Sequence, residues 1–343
     1  MMRIRKPFGI GRFLQLGGCL AVACGLATSC INEDLSKCGR DYAVDYELKL
    51  STSLQLALDE EFVTAEEQAL AARLRDDLGN VLSDKARVMD LSFFKEQGGE
   101  LEKHQRLTPN ANEASVTVYM NRGNYYNVAL AATDNKYEVA IDGASAYRSI
   151  SLLQLAADTV DAYHSALYMG LERMALSEQS GHYYVPLYMV NSVPVLVVNA
   201  TGSTASLLAA YVRGTASGLH CADSVYVYDR SAVMRTVRTD AGNLTAFHCV
   251  CFPSANTPEQ RTTRDGDLSQ AEGSLWEMDA YTRTAEGKYV KNTLYIKEPL
   301  RAGAMLVVKV KLQNDGTLTT DNPEVGVSVE LDWKPGGDFD VEM

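Results

Sequence analysis

Cysteine is the residue type with the clearest chemical potential in this sequence. Three of the seven cysteines, Cys19, Cys24 and Cys30, lie within or just after an N-terminal segment that carries four basic residues and no acidic residue. The segment continues into an apolar run at 13–27 and then into small residues, which is the pattern of a secretory signal. This run of 15 residues is shorter than the ~20 that a spanning helix needs. We therefore expect residues 1–29 to be a signal peptide and the protein to be exported.

The residues around these cysteines predict which of them is lipidated. Ala27-Thr28-Ser29-Cys30 resembles a relaxed lipobox, in which small residues precede the acylated cysteine. Leu16-Gly17-Gly18-Cys19 fits the consensus better, but it leaves an apolar core of only about six residues where about 7–15 are typical. Cys24, after Ala21-Val22-Ala23, is a further alternative. Apolar character ends at Cys30, so we predict a lipid such as palmitate there, with 30–40 as a lipidated linker.

The other four cysteines could form disulfides, because export places them in an oxidising compartment. Cys249 and Cys251 are two residues apart on a predicted strand and point to the same face, where a direct bond between them would be strained. Each could instead pair with Cys221 or Cys38, and four cysteines allow three connectivities. Buried free thiols are the alternative, and the sequence leaves both open.

No other residue pattern predicts catalysis, a cofactor or a metal site. No two of the five histidines are closer than 18 residues, so no histidine pair is spaced to hold a metal on one helix. Nucleophile-elbow, P-loop and dinucleotide-binding motifs are missing from the sequence. Asp265-Gly266-Asp267 and the turn at Asn314 lack the twelve-residue ligand series of an EF-hand, so we interpret both as turns. We predict that the protein is not an enzyme.

Charge excludes one class of partner. The net charge is −12, and removing residues 1–29 leaves 28 basic against 44 acidic residues, or −16. Such a chain is repelled by phosphate backbones, so nucleic acid is not expected as a partner. The 343 residues, 46% of them hydrophobic, suffice for two globular domains.

The first half of the mature chain mixes strand and helix patterns. Strict alternation at 41–50 predicts a half-buried strand, which Leu54, Leu56 and Leu58 could extend. Thr64 and Glu67 form a capping-box pattern, and leucines every four residues then predict a helix at 65–82. We predict a second helical region at 149–176. Further strands are expected at 88–94, 115–120, 125–132 and 183–190.

The second half has only strand patterns, which predicts a β-sandwich. Asn314-Asp315-Gly316 is expected to turn the chain between the last two strands, and the polar segment 254–273 to form a long exposed loop. We place domains at 41–190 and 191–343. Strands are predicted at 195–200, 207–212, 224–228, 244–252, 275–281, 289–296, 305–312 and 325–333.

Five short motifs follow one another along the mature chain. They are Cys30 and Cys38 with Glu33-Asp34-Leu35 between them, Tyr46-Glu47-Leu48-Lys49-Leu50, Asp90-Leu91-Ser92-Phe93-Phe94, Gly123-Asn124-Tyr125-Tyr126-Asn127-Val128-Ala129 and Tyr168-Met169-Gly170. In their order and spacing they resemble the fimbrillin-associated anchor lipoproteins of Bacteroides- and Porphyromonas-type bacteria, which sit at the base of fimbriae. The acidic Asn32-Glu33-Asp34 after Cys30 resembles a signal that sends such lipoproteins to the cell surface. The likeness covers most of the chain and is strongest in the first half.

This resemblance implies a mainly β fold of two transthyretin-like β-sandwich domains, the first with helical insertions. It implies a lipid-anchored protein on the outer membrane that holds a fimbrium, joined to fimbrillin (pilin) subunits by strand exchange. The alternatives are a fimbrial shaft or tip adhesin and a surface glycan-binding lipoprotein. Shaft subunits are thought to be cut at an arginine, for which Arg40 is a candidate, and a glycan binder would need exposed aromatic side chains.

Overall fold

The computed structural model describes residues 39–134, 139–142, 146–154, 159–228, 233–261 and 273–331. Within these ranges the chain is mainly β, with 22 strands in four sheets and two α-helices. The mainly β fold expected from the sequence is confirmed. The predicted signal peptide, Cys30 and Cys38 lie outside the described residues.

The first half of the chain builds a seven-stranded sheet. Strand β1 is fully alternating as predicted, with Tyr42, Val44, Tyr46 and Leu48 buried. It lies between antiparallel β4 and parallel β10. The order is β3-β2-β5-β9-β10-β1-β4, formed by β1 (Arg40–Lys49), β2 (Val88–Lys95), β3 (Leu101–Leu107), β4 (Glu113–Met120), β5 (Gly123–Ala132), β9 (Leu167–Leu176) and β10 (His182–Met189).

In the middle of this sheet, one pair of neighbouring strands is held together over a short length only. Strands β9 and β10 pair at only two positions, whereas β5 and β9 pair at ten. Gly170 lies at this junction, where a Cβ would be 2.7 Å from the Pro186 carbonyl oxygen, so only glycine permits the close approach. The buried faces of β1 and β2 contribute to one hydrophobic core, as the layers of a sandwich do.

The second half contains two further sheets. The five-stranded sheet has the order β16-β17-β11-β20-β21, and β11 lies between antiparallel β17 and parallel β20, as β1 does between β4 and β10. Its strands are β11 (Val193–Asn199), β16 (Val237–Ala241), β17 (Leu244–His248), β20 (Met305–Leu312) and β21 (Leu318–Thr319). The six-stranded sheet has the order β22-β19-β18-β12-β15-β8, with β8 (Thr159–Val160), β12 (Ser206–Arg213), β15 (Val233–Arg235), β18 (Trp276–Arg283), β19 (Tyr289–Ile296) and β22 (Val325–Leu331).

Two predictions about helices are wrong. Residues 54–58 do not extend β1; they belong to helix α1 (Thr52–Glu60), which buries Leu54 and Leu58 and leaves Leu56 48% exposed. Leucines at every second position also fall at i and i+4, so the pattern fits a helix equally well. The region 149–176 contains no α-helix in its described part. It contains the end of the 3₁₀ turn Tyr147–Ser149 and strands β7 (Ser151–Gln154), β8 and β9.

The predicted helix at 65–82 is confirmed as α2 (Ala65–Asp77), although it ends earlier than expected. Thr64 and Glu67 form the predicted capping box. Both helices pack against the five-stranded sheet: α1 contacts β20, and α2 contacts β16 and β17. The helical insertion of the first half therefore covers a sheet of the second half.

Strands from the two halves of the chain also pair with each other in a fourth sheet. A four-stranded sheet, β14-β13-β7-β6, joins β6 (Val139–Asp142) and β7 (Ser151–Gln154) to β13 (Gly218–His220) and β14 (Val225–Val227). Strand β8 also pairs with β15. The chain does change sheets between β10 and β11, near residue 190. The division into independent domains at 190 remains a prediction.

The last turn and strand also differ from expectation. Asn314-Asp315-Gly316 connects β20 to the two-residue β21, whereas the final strand β22 pairs with β19 of the other sheet. A turn motif predicts local reversal but not which strand follows. In the predicted exposed loop 254–273, Ser254 and Ala255 are buried, and residues 262–272 lie outside the described residues.

Candidate functional site

Among the described residues, strand β20 has an open backbone edge along most of its length. On one side it pairs with β11 at every position from Met305 to Lys311, but on the other side β21 pairs only with Lys311 and Leu312. The bond from the Gln313 N–H to the Thr317 carbonyl closes this short hairpin. Because backbone groups alternate in direction along a strand, the N–H and C=O of Val307 and Lys309 point to the same open side.

A groove of 610 Å³ lies along this open edge. Its apolar part is formed by Val197, Leu244 and Val307, which belong to three strands of the five-stranded sheet. Its polar part comes from the end of α1, the first turn of α2, strand β20 itself and the segment after β21. These polar lining residues include Glu61, Glu67, Lys309, Lys311, Thr320 and Asp321. The groove therefore combines unpaired backbone groups with apolar and charged side chains.

Lysine–carboxylate pairs fix the side chains at the groove. Lys309 Nζ lies 2.9 Å from Glu67 Oε1, and Lys311 Nζ lies 3.7 Å from Asp321 Oδ2. Burial would raise the pKa of Glu67, but the backbone N–H of Thr64 and the Lys309 ammonium outweigh it and hold the pKa at about 2. One of the open backbone acceptors is already used, since Thr320 Oγ1 donates to the Lys309 carbonyl at 2.9 Å. Among the described residues, no such bond is recorded for the open-side groups of Val307.

Strand β22 forms a second edge nearby. Within the part of the chain that the structure describes, it pairs only with β19. Its apolar face passes from buried Val325 to Val329, 40% exposed, and Leu331, 64% exposed. The alternation predicted for 325–333 is present, but its outer part does not lie in the core. Trp333 lies outside the described residues.

Three of the four candidate disulfide cysteines lie in the core, and Cys38 is outside the described residues. Cys221, Cys249 and Cys251 are free and buried. Burial raises the pKa of Cys221 to about 12 and that of Cys249 well above its ordinary value, so neither forms a thiolate readily. A bridge from any of them to Cys38 stays a prediction, as does lipidation at Cys30.

The polar side chains of Asp315 and Ser203 make structural contacts. Asp315 Oδ1 accepts from both the backbone N–H and the hydroxyl of Thr317, which is turn chemistry. Ser203 Oγ donates to the Gln313 carbonyl at 3.0 Å. Asp265-Gly266-Asp267 lies outside the described residues. Across the described ranges, no cluster of three or more histidines, cysteines and carboxylates is placed to hold a metal, and no helix is long and apolar enough to span a membrane.

No protein family matches the sequence, and no curated protein matches it. Solved structures with a similar chain path include a candidate adhesin from Bacteroides thetaiotaomicron VPI-5482, with 10% identity, a TM-score of 0.49, and coverage of 86% of this chain and 97% of that chain. The fimbrial anchor protein Mfa2 from Porphyromonas gingivalis has 7% identity and a TM-score of 0.45, with 85% and 99% coverage. A candidate cell adhesion protein from Bacteroides eggerthii DSM 20697 has 12% identity and a TM-score of 0.47, with 86% and 96% coverage. At these identities they assign no functional residue in this chain.

Proposed function

We propose that this protein is a structural lipoprotein of the cell surface that anchors a fimbrium to the outer membrane and has no enzymatic role. Its partner is a fimbrial subunit that donates a β-strand to the open edge of β20. The unpaired backbone groups beside the 610 Å³ groove carry this proposal. An added strand gains main-chain hydrogen bonds and places alternate side chains in the groove. An unprotected edge of this kind is a liability unless a partner covers it.

The N-terminal end of the described chain supports a membrane tether. Strand β1 begins at Arg40, ten residues after Cys30. Ten extended residues reach roughly 33 Å, enough to hold the fold clear of the headgroups. Because one acyl chain binds a membrane only marginally, the tether requires more than one chain on Cys30.

The position of Arg40 argues against the shaft alternative. A shaft subunit would have to open a groove by losing a strand on cleavage. Arg40 is the first residue of β1, and the strand continues to Lys49 between β4 and β10. Cleavage after Arg40 would leave that strand in the sheet, so no groove would open there.

The acceptor edge can be tested with Val307→Pro. Proline removes the N–H that points to the open side and leaves the ladder with β11 intact, as edge strands tolerate. We expect the protein to remain on the cell surface while fimbriae are recovered from the medium. Thr117→Pro is the matched control. The Leu48 N–H donates to the Asn112 carbonyl, so even-numbered residues of β4 direct their backbone groups toward β1. The N–H of Thr117 therefore points to the open edge of β4. Fimbriae should stay attached in that strain.

The tether is tested separately with Cys30→Ala. This variant should fold normally and release fimbriae together with the anchor itself, and mass spectrometry of the native protein should find an acylated peptide that starts at Cys30. Cell-bound, normal fimbriae in a gene-deletion strain would disprove the anchoring role. Attached fimbriae in the Val307→Pro strain would disprove the β20 edge as the acceptor.

A further inference from the structure

A second surface of the molecule carries exposed aromatic rings. On the outward face of strands β4, β1 and β10, the side chains of Tyr119, Tyr184 and Tyr188 are 61%, 48% and 59% exposed. Tyr184 and Tyr188 lie four residues apart on β10, or about 13 Å along the strand. We call this outward surface of the three strands the tyrosine face.

Side chains of the tyrosine face are held in place although they are exposed. The Tyr184 hydroxyl donates to Glu47, and the Lys49 ammonium lies 5.4 Å from the centroid of the Tyr184 ring. Ser115 Oγ donates to Asp45 at 2.6 Å, and His182 contacts the same carboxylate. The Ser115 hydrogen bond lowers the pKa of Asp45, and the contacts with Lys49 and Tyr184 lower that of Glu47, so both stay ionised acceptors. The fixed Tyr184 ring beside fixed acceptors loses little freedom when a ligand binds.

The chemistry of the tyrosine face selects its ligand. Aromatic rings pack against the apolar C–H faces of pyranose rings, and carboxylates accept hydrogen bonds from sugar hydroxyls. The outward positions of the three strands carry four carboxylates and one ammonium, that of Lys49. The Lys103 ammonium of β3 adds a second positive charge at the β4 edge, where it donates to the Tyr119 carbonyl at 3.4 Å, and the carboxylates remain in excess. The four carboxylates are those of Asp41, Asp45, Glu47 and Glu113. This excess of negative charge repels sulfated or uronic glycans and anionic lipid headgroups.

We propose that the tyrosine face is a binding site for a neutral glycan, whose sugar rings stack on Tyr184 and Tyr188 while their hydroxyls donate to Asp45 and Glu47. The site is separate from the β20 edge, so the protein would hold a surface glycan and a fimbrial subunit at the same time.

Affinity electrophoresis of the purified full-length protein tests this site, with α-mannan, soluble starch and hydroxyethylcellulose as neutral probes and heparin as the anionic probe. We expect at least one neutral polysaccharide, and not heparin, to retard the protein. Tyr188→Ala should weaken that binding roughly tenfold or more, whereas Tyr188→Phe keeps the ring and should bind like the wild type. Val63→Ala removes an equally exposed apolar side chain (69%) away from this face and should bind normally.

Three outcomes would overturn the proposal. The first is a lack of retardation by all three neutral polysaccharides. The second is equal retardation of wild type and Tyr188→Ala. The third is sedimentation with phosphatidylglycerol vesicles that Tyr188→Ala abolishes, which would make the face a membrane contact. None of these measurements involves fimbriae, so the anchoring proposal stands or falls separately.

Discussion

His248 is a buried histidine (3% exposed) that connects the two halves of the chain. Its Nε2 lies 3.2 Å from Thr239 Oγ1 and 3.6 Å from Asp77 Oδ2, and the Thr239 hydroxyl donates to Asp77. Asp77 ends helix α2, whereas Thr239 and His248 lie on β16 and β17. Burial lowers the pKa of His248, although the nearby Asp77 carboxylate opposes the shift.

This lowered pKa predicts acid sensitivity. The unfolded imidazole takes up its proton near pH 6.5, while the folded one resists protonation to a lower pH. The contribution of His248 to the free energy of unfolding is therefore complete above about pH 6.5 and is lost as the pH falls through the folded pKa. Urea unfolding at pH 8 and pH 5 should show a smaller loss of stability in His248→Gln than in the wild type. An identical loss in both proteins would contradict this.

The side-chain contacts that could not be predicted from the sequence are those between residues far apart in the chain. The capping box was predictable because Thr64 and Glu67 are three residues apart. The Asp77–His248 contact and the Glu67–Lys309 pair join residues that are more than 150 positions apart in the chain. Only the fold brings them together.

At the scale of the element, the start of α2 is the feature best supported by both sequence and structure. Glu67 N donates to Thr64 Oγ1, and Thr64 N donates to Glu67 Oε2. Thr64→Ala should lower the free energy of unfolding by about 1 kcal/mol, because one helical N–H loses its acceptor. Thr64→Ser keeps the hydroxyl and should change stability far less. Chemical denaturation distinguishes the two, and equal losses would rule out the cap as the cause.

Strands with a half-buried alternation, such as β1, β19 and β20, were predicted within one or two residues. The wrong or missing secondary-structure predictions concern segments whose apolar residues do not define a single periodicity. Residues 54–58 fit both a strand and a helix, and the short strands β13, β15, β16 and β21 have two to five residues each, too few to show any periodicity. The open edge of β20 could not be read from its sequence, because it depends on how short the next strand is.

At the scale of the whole molecule, the two halves share structure. Helices α1 and α2 cover the five-stranded sheet, β7 pairs with β13 of the second half, and β8 pairs with β15 of the second half. The expressed segment 191–343 alone would expose the surfaces under both. We expect it to be insoluble or to lack a cooperative transition, whereas the full chain should unfold in one transition by calorimetry. A soluble, cooperatively folded segment would contradict this and support independent domains.

The position of β1 also has a mechanical consequence. If the protein anchors a surface fibre as proposed, flow on that fibre pulls on its base, and the tension would enter the described part of the fold at Arg40. Strand β1 is held by eight residue pairs with β4 and seven with β10. A force directed along β1 loads these pairs in shear, so they must yield together, whereas a force across the strand would peel them one at a time. A strand that is paired on both sides at this end of the described fold would therefore suit the proposed anchor, because it resists being torn open from the N-terminal side.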